Sequence, residues 1–116
     1  MAYELKEIRV NSELLAPTIL QAEGSVIYRE AVKNGGTIRV PVISQAHVGD
    51  ILTVWLRANG SWHTDLVFNE INLGKPLDVN VRYLSFSEGN SAVASYTLQQ
   101  GEDKFFSPET SYELKD

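Results

Sequence analysis

Imidazole is the side chain that most readily moves a proton near neutral pH, and it is also the commonest metal ligand. The chain has two histidines, His47 and His63. Either could join Asp50, Asp65 or Glu70 at a metal, but none of these residues has the spacing of ligands on one strand or helix. Two solvated loop or hairpin histidines are the simpler reading. A serine nucleophile needs a sharp turn, and Gly-x-Ser-x-Gly does not occur. The glycine turns "EGS" and "SEGNS" precede no helix able to cradle phosphate. Asp50, following Gly49, is expected to shape a turn by bonding its own backbone. Asp65, Asn69 and Glu70 supply too few oxygens for calcium. Asn59-Gly60-Ser61 fits a glycosylation acceptor and reads more simply as a hairpin turn. The expectation is a protein that is not an enzyme, with no catalytic residues, no metal and no cofactor.

Aromatic side chains give the one candidate binding feature. Trp62 follows the Asn59-Gly60 turn, Trp55 is out of phase with the apolar face of its strand, and His63 and Tyr28 are candidates to lie nearby. An exposed set of this kind, Trp62, Trp55 and His63 above all, can stack on a sugar ring or anchor a protein partner. The plainer alternative has Trp55 covering one sheet and Trp62 closing the end of a hairpin.

Positioning these residues requires strands. Apolar side chains recur with period two through most of the chain. In "TIRVPVI", Ile38, Val40 and Val42 share a face, and Pro41 is expected at an edge or bulge because it cannot donate to a ladder. A turn at Gly49-Asp50 leads to "ILTVWLR", which is apolar on both faces and therefore expected in mid-sheet. Asn59-Gly60 predicts a tight hairpin, both residues tolerating positive φ, with "WHTDLVF" as the returning strand. "KPLDVNVRYL", "SAVASYTLQ" and "ETSYEL" alternate again, while "APTILQA" and "SVIYREA" form a shorter, less regular pair. Only "VRYLSFSEG" and "LKEIRVNSELL" could hold a helical turn. About seven short strands without a long helix predict an antiparallel β-sandwich, with a barrel as the competitor.

Bulk properties limit the partners. With 116 residues the chain is the usual size of one domain, and it carries no cysteine. Its net charge is −5 and its ten basic residues are scattered singly, so nucleic acid, which needs clustered positive charge, is not an expected partner. Apolar runs such as Ala92-Val93-Ala94 are too short to insert in a membrane. Charged Glu4, Lys6, Glu7 and Arg9 occupy the place of a signal's apolar region.

The tetrapeptide "YELK" stands at residues 3–6 and again at residues 112–115, about one domain apart. Self-similarity at such a period is the mark of tandem arrays. Residues 1–13 then read as a linker and the tail of a preceding repeat, and residues 14–116 as the domain proper. A chance match competes, since Tyr-x-Leu alternation is common in strands.

The order of several landmarks resembles the Ig-like repeats found in tandem within very large bacterial surface and secreted proteins. "APTIL" is similar to their opening Pro-x-Ile strand, and "GGTIRVPV" to their Gly-x-x-Val-x-Val-Pro strand. "GDILTVWL" looks like their Gly-Asp turn and Trp-bearing strand, and "GKPLDVNV" like the Gly-x-Pro turn and strand. "VASYTL" and "FFSPETSYEL" are similar to the last two. Two departures stand out: Trp55 falls one residue before the inward phase held by Leu56, and the segment after Val81 is polar where the family has an apolar short helix. The resemblance implies an Ig-like sandwich acting as a non-catalytic spacer or adhesion unit, outside the cell or on its surface, with neighbouring repeats as partners. Two other readings stay open: a glycan- or protein-binding module using the aromatics, and a stand-alone cytoplasmic Ig-like protein, favoured by the initiator Met and the missing signal.

Overall fold

A computed structural model describes Arg9, Val10 and residues 14–116. Among the described residues, ten strands follow one another: β1 (Arg9–Val10), β2 (Thr18–Ile19), β3 (Val26–Tyr28), β4 (Gly36–Val40), β5 (Ile51–Ala58), β6 (Gly60–Val67), β7 (Leu77–Val81), β8 (Ser91–Gln100), β9 (Asp103–Phe106) and β10 (Thr110–Lys115). The only helical turns among the described residues are single 3-10 turns at Arg29–Val32 and Tyr83–Phe86. The first copy of "YELK", and most of the expected linker, lie outside the described residues. Arg9–Val10 pairs in parallel with Phe105–Phe106.

The chain is all-β and forms two separate sheets, not a closed barrel. The smaller has the order β2-β4-β7, with antiparallel pairing throughout. The larger is organised by β8. One edge of β8 pairs along Val93–Gln99 with β5, which pairs in turn with β6. Its other edge is shared: Ser91–Ala94 faces β10, and Thr97–Gln100 faces β9. Beyond β10 lies β3, in parallel.

Alternation explains what is buried. Ala92, Ala94, Tyr96 and Leu98 of β8 point inward with Leu52, Val54 and Leu56 of β5, and meet Ile38 and Val40 of β4 and Val81 of β7 in one core. Each large aliphatic side chain removed from water there contributes about 1.5–3 kcal/mol. The 3-10 turn at Tyr83–Phe86 delivers Phe86, fully buried, into the same core.

Where β8 changes partner, a backbone donor is left without a ladder. Ser107, buried between β9 and β10, fills that gap. Its hydroxyl accepts from the Tyr96 N–H and its own N–H donates to the Tyr96 carbonyl, both at 2.9 Å. Two tyrosines then fasten the N-terminal segment across the core. The Tyr96 hydroxyl donates to the Leu15 carbonyl at 2.6 Å, and the Ile19 N–H donates to the Tyr112 hydroxyl at 2.9 Å. Burial pushes the Tyr96 hydroxyl up to about 12, and its bond to Leu15 only partly offsets this. Tyr112 and Leu114, the two apolar members of the second "YELK", are thus core residues.

Four local expectations are corrected. β4 ends at Val40, before Pro41, because the ring cannot continue the ladder in what is the middle strand of its sheet. Val42 is therefore exposed, and Ile43 takes the buried place. "SVIYREA" stops being a strand at Tyr28: Arg29 turns inward to donate to the carbonyls of Phe86 and Gly89, and it pairs with Asp116 at 2.8 Å. "GEDKFF", unread as a strand, forms β9 through a two-residue turn at Gly101-Glu102, where only Gly101 adopts positive φ. Lastly, the Asn59 turn differs from the expected one, with consequences for the aromatic residues.

Candidate functional site

The hairpin register decides which aromatics share a face. Ala58 pairs with Gly60, leaving Asn59 alone at the apex, and only Gly60 has positive φ, at 82°. Asn59 instead reaches sideways: its N–H donates to the Ser85 carbonyl at 3.2 Å and its side-chain amide to the Leu84 carbonyl at 3.3 Å. The connection between the paired strand ends is therefore the single residue Asn59, not two residues. A change of one residue moves every following side chain to the other face of the sheet. Trp62 lands opposite Leu56 and packs against the core, while His63 lands opposite Trp55 on the outer face. The sheet thus separates Trp62 from the other two residues. Tyr28 is remote as well, since β8 and β10 intervene between β5 and β3.

On the outer face, the Trp55 and His63 rings lie 4.7 Å apart between centroids and 34° from parallel. Trp55 is half-buried and His63 exposed. Beside them is a shallow hollow of about 270 Å³, lined by Trp55, Arg57, Ser61, Ser95, Thr97, Phe106 and Glu109. The β8 register brings Phe106 beside Thr97, and Thr97 is paired with Thr53 on β5. Arg57 and Glu109 cross the end of the hollow at 3.1 Å. An aromatic wall flanked by hydroxyls and a charged pair can stack an apolar ring face and hydrogen-bond its rim.

Trp62 lines a different hollow, of about 440 Å³, with Asn59, Asn80, Arg82, Leu84 and Ser85. This lies on the side of the molecule where, among the described residues, β6 and β7 each pair with a single neighbour. A larger open depression of about 910 Å³ adjoins it through Asn80 and Arg82, and Lys33, Asn34 and Tyr83 also line it.

The remaining candidates are occupied by structural bonds. Asp50 does shape a turn, but by accepting from the His47 N–H at 2.8 Å, and it also accepts from Gln100 at 2.8 Å. The Asp50 carboxylate is 3.8 Å from the His47 ring. Asn69 accepts from the N–H groups of Ile71 and Asn72, and Asp65 accepts from the Thr53 hydroxyl at 2.8 Å. Among the described residues, no group of three His, Cys, Asp or Glu could hold a metal ion, and no helix is long and apolar enough to cross a membrane.

Comparison of the chain with protein-family models, curated proteins and solved structures finds no match. The site therefore rests on its own geometry.

Sequence reasoning singled out Trp55 and His63 on this face but not Phe106, Arg57 and Glu109, which line the hollow beside Trp55. Arg57 was legible, being in phase with Trp55 on an alternating strand. Phe106 was not, because the doublet Phe105-Phe106 shows no alternation: Phe105 packs on the core while its neighbour serves the outer face.

Proposed function

We propose that this chain is a non-catalytic Ig-like module of a multi-repeat bacterial surface or secreted protein, working as a structural spacer or adhesion unit. The observation that carries this reading is how the two ends of the domain are fastened. β3 and β10 run parallel through Val26–Tyr28 and Glu113–Lys115, and the Leu14–Ile19 segment is bonded to β8 and β10 through Tyr96, Thr110 and Tyr112. Tension applied at the ends loads parallel strands in shear, so several backbone bonds must break together. An antiparallel hairpin pulled at its open end gives way one pair at a time. Single-molecule pulling tests this: the unfolding force is expected to be higher through residues 16 and 116 than through residues 51 and 67. Equal forces would remove the mechanical reading. The parent reading frame tests the array itself, which calls for a further "PTI … GD" set flanking this stretch.

A second reading is favoured by the hollow beside Trp55. A glycan or extended peptide would stack on Trp55 and Phe106 and hydrogen-bond Ser95, Ser61 and Arg57. In a glycan-array screen, Trp55→Ala would abolish such binding and Trp62→Ala would leave it intact. Loss with Trp62→Ala alone would point to the other side of the molecule.

A further inference from the structure

The free edge of β6 has what it needs to pair with itself, and we propose that two copies of this chain associate through antiparallel β6–β6 pairing across a two-fold axis at Thr64. Among the described residues β6 pairs only with β5. It is eight residues long and in unbroken register from Gly60 to Val67. Sheet edges are ordinarily blunted by proline, lysine, a bulge or short length. Other edges follow that rule: β2 and β3 have two or three residues, and β7 has five and follows Pro76. The β6 segment "GSWHTDLV" has no proline, lysine, arginine or bulge.

Backbone phase limits how two such edges can meet. The Phe68 N–H donates to the Asp50 carbonyl at 2.9 Å. Alternation along an antiparallel ladder then turns the amides of Trp62, Thr64 and Leu66 toward β5, and those of Ser61, His63, Asp65 and Val67 outward. Only odd-numbered residues of one copy can therefore exchange bonds with odd-numbered residues of the other. An axis at His63 would stack the two His63 side chains and set Trp62 against Thr64. An axis at Asp65 would set two carboxylates face to face. An axis at Thr64 puts His63 of each copy opposite Asp65 of the other, twice. On the inner face the same axis sets Trp62 against Leu66, both half-buried in the single chain.

Both polar partners lean toward β5, and each keeps a group free for a partner copy. His63 is held against Trp55, and Asp65 accepts from Thr53 through one carboxylate oxygen, leaving the second oxygen for the imidazole N–H. The interface is isologous and closes at two copies.

Sedimentation velocity over a range of concentrations, with thermal melting of each variant as a check on folding, tests the proposal. The wild-type chain is expected to show a concentration-dependent dimer. His63→Asp should weaken it at least tenfold by opposing two carboxylates. The swap His63→Asp with Asp65→His restores the opposite pair and should bring affinity back to within a few-fold of wild type. His63 and Asp65 are exposed, so melting should change little. As a second measurement, amide exchange at Ser61, His63 and Asp65 should slow as concentration rises. A chain that stays monomeric throughout, or a swap that rescues nothing, overturns the proposal. So would concentration-independent protection of those amides, which would give the edge to another segment of the same chain.

Discussion

Along the side where β10, β3 and the Leu14–Ile19 segment meet, Ile19, Ile27, Tyr112 and Leu114 are buried. Along the side where β6 and β7 end the two sheets, Trp62, Thr64, Leu66, Leu77 and Val79 are only half-covered. Both sides use the same alternation, so the difference lies in what lies over them. The first has hydroxyls of Tyr96, Thr110 and Tyr112 bonding the backbone of the N-terminal segment. The second has one backbone contact from the hairpin apex, between Asn59 and Ser85, and an open hollow around Trp62. Alternation alone builds the sheets. Closing the space between them depends on polar groups that fasten one segment to another.

The sharpest way to break this comparison is a pair of truncations in one sheet. Leu56→Ala, at a fully enclosed position, should cost about 3–5 kcal/mol of unfolding free energy, because a cavity adds to the lost transfer energy. Leu66→Ala, on the open side, should cost about 1 kcal/mol, since water already reaches it. Equal losses in denaturant titrations would erase the distinction. Next comes Ser107→Ala, which leaves the Tyr96 N–H without its acceptor. A buried donor stranded in this way costs about 1–3 kcal/mol, so a loss under half a kcal/mol would mean that the switch in β8 pairing does not depend on this hydroxyl.

Alkaline titration comes third. The Tyr96 pKa in the folded chain is raised from the ordinary tyrosine value to about 12. Between those two values the unfolded chain has lost a proton that the folded one keeps, so stability falls as pH rises through this window. Tyr96→Phe starts less stable but should lose less over the same interval. Parallel pH profiles for the two proteins would remove Tyr96 as the cause. The smallest effect belongs to Arg39 and Asp78, whose two bonds, at 2.8 and 2.9 Å, cross the outer face of the smaller sheet. The hydrogen bond from Arg39 holds the Asp78 carboxyl below its ordinary value. Its contribution is present at neutral pH and lost as pH falls through that lowered value. Exposed pairs add little, so Asp78→Asn should lower stability slightly at neutral pH and converge with the wild type in acid, where the pair is already lost.

The fold was legible wherever one face is buried and the other is not. β4, β7, β8 and β10 carry that signature, and β5, apolar on both faces, was legible as a mid-sheet strand. β9 escaped because Phe105 and Phe106 have work on opposite faces, and the strand at Tyr28 ran short because Arg29 has partners some sixty residues away in the chain. The candidate site depended on a single residue of loop length. A two-residue turn at Asn59-Gly60 would have placed Trp62 on the outer face with Trp55, as the sequence suggested. The one-residue connection turns Trp62 inward and brings His63 out. Nothing local marks that choice, because what holds Asn59 is the backbone of Leu84 and Ser85.

Amide hydrogen exchange, followed residue by residue at a dilution that excludes association, addresses the uneven closure most directly. The ladder amides of β8 and β10 should exchange only through global unfolding, whereas those of Trp62, Thr64 and Leu66 should exchange through local opening with clearly lower protection. Uniform protection across both sides would contradict it.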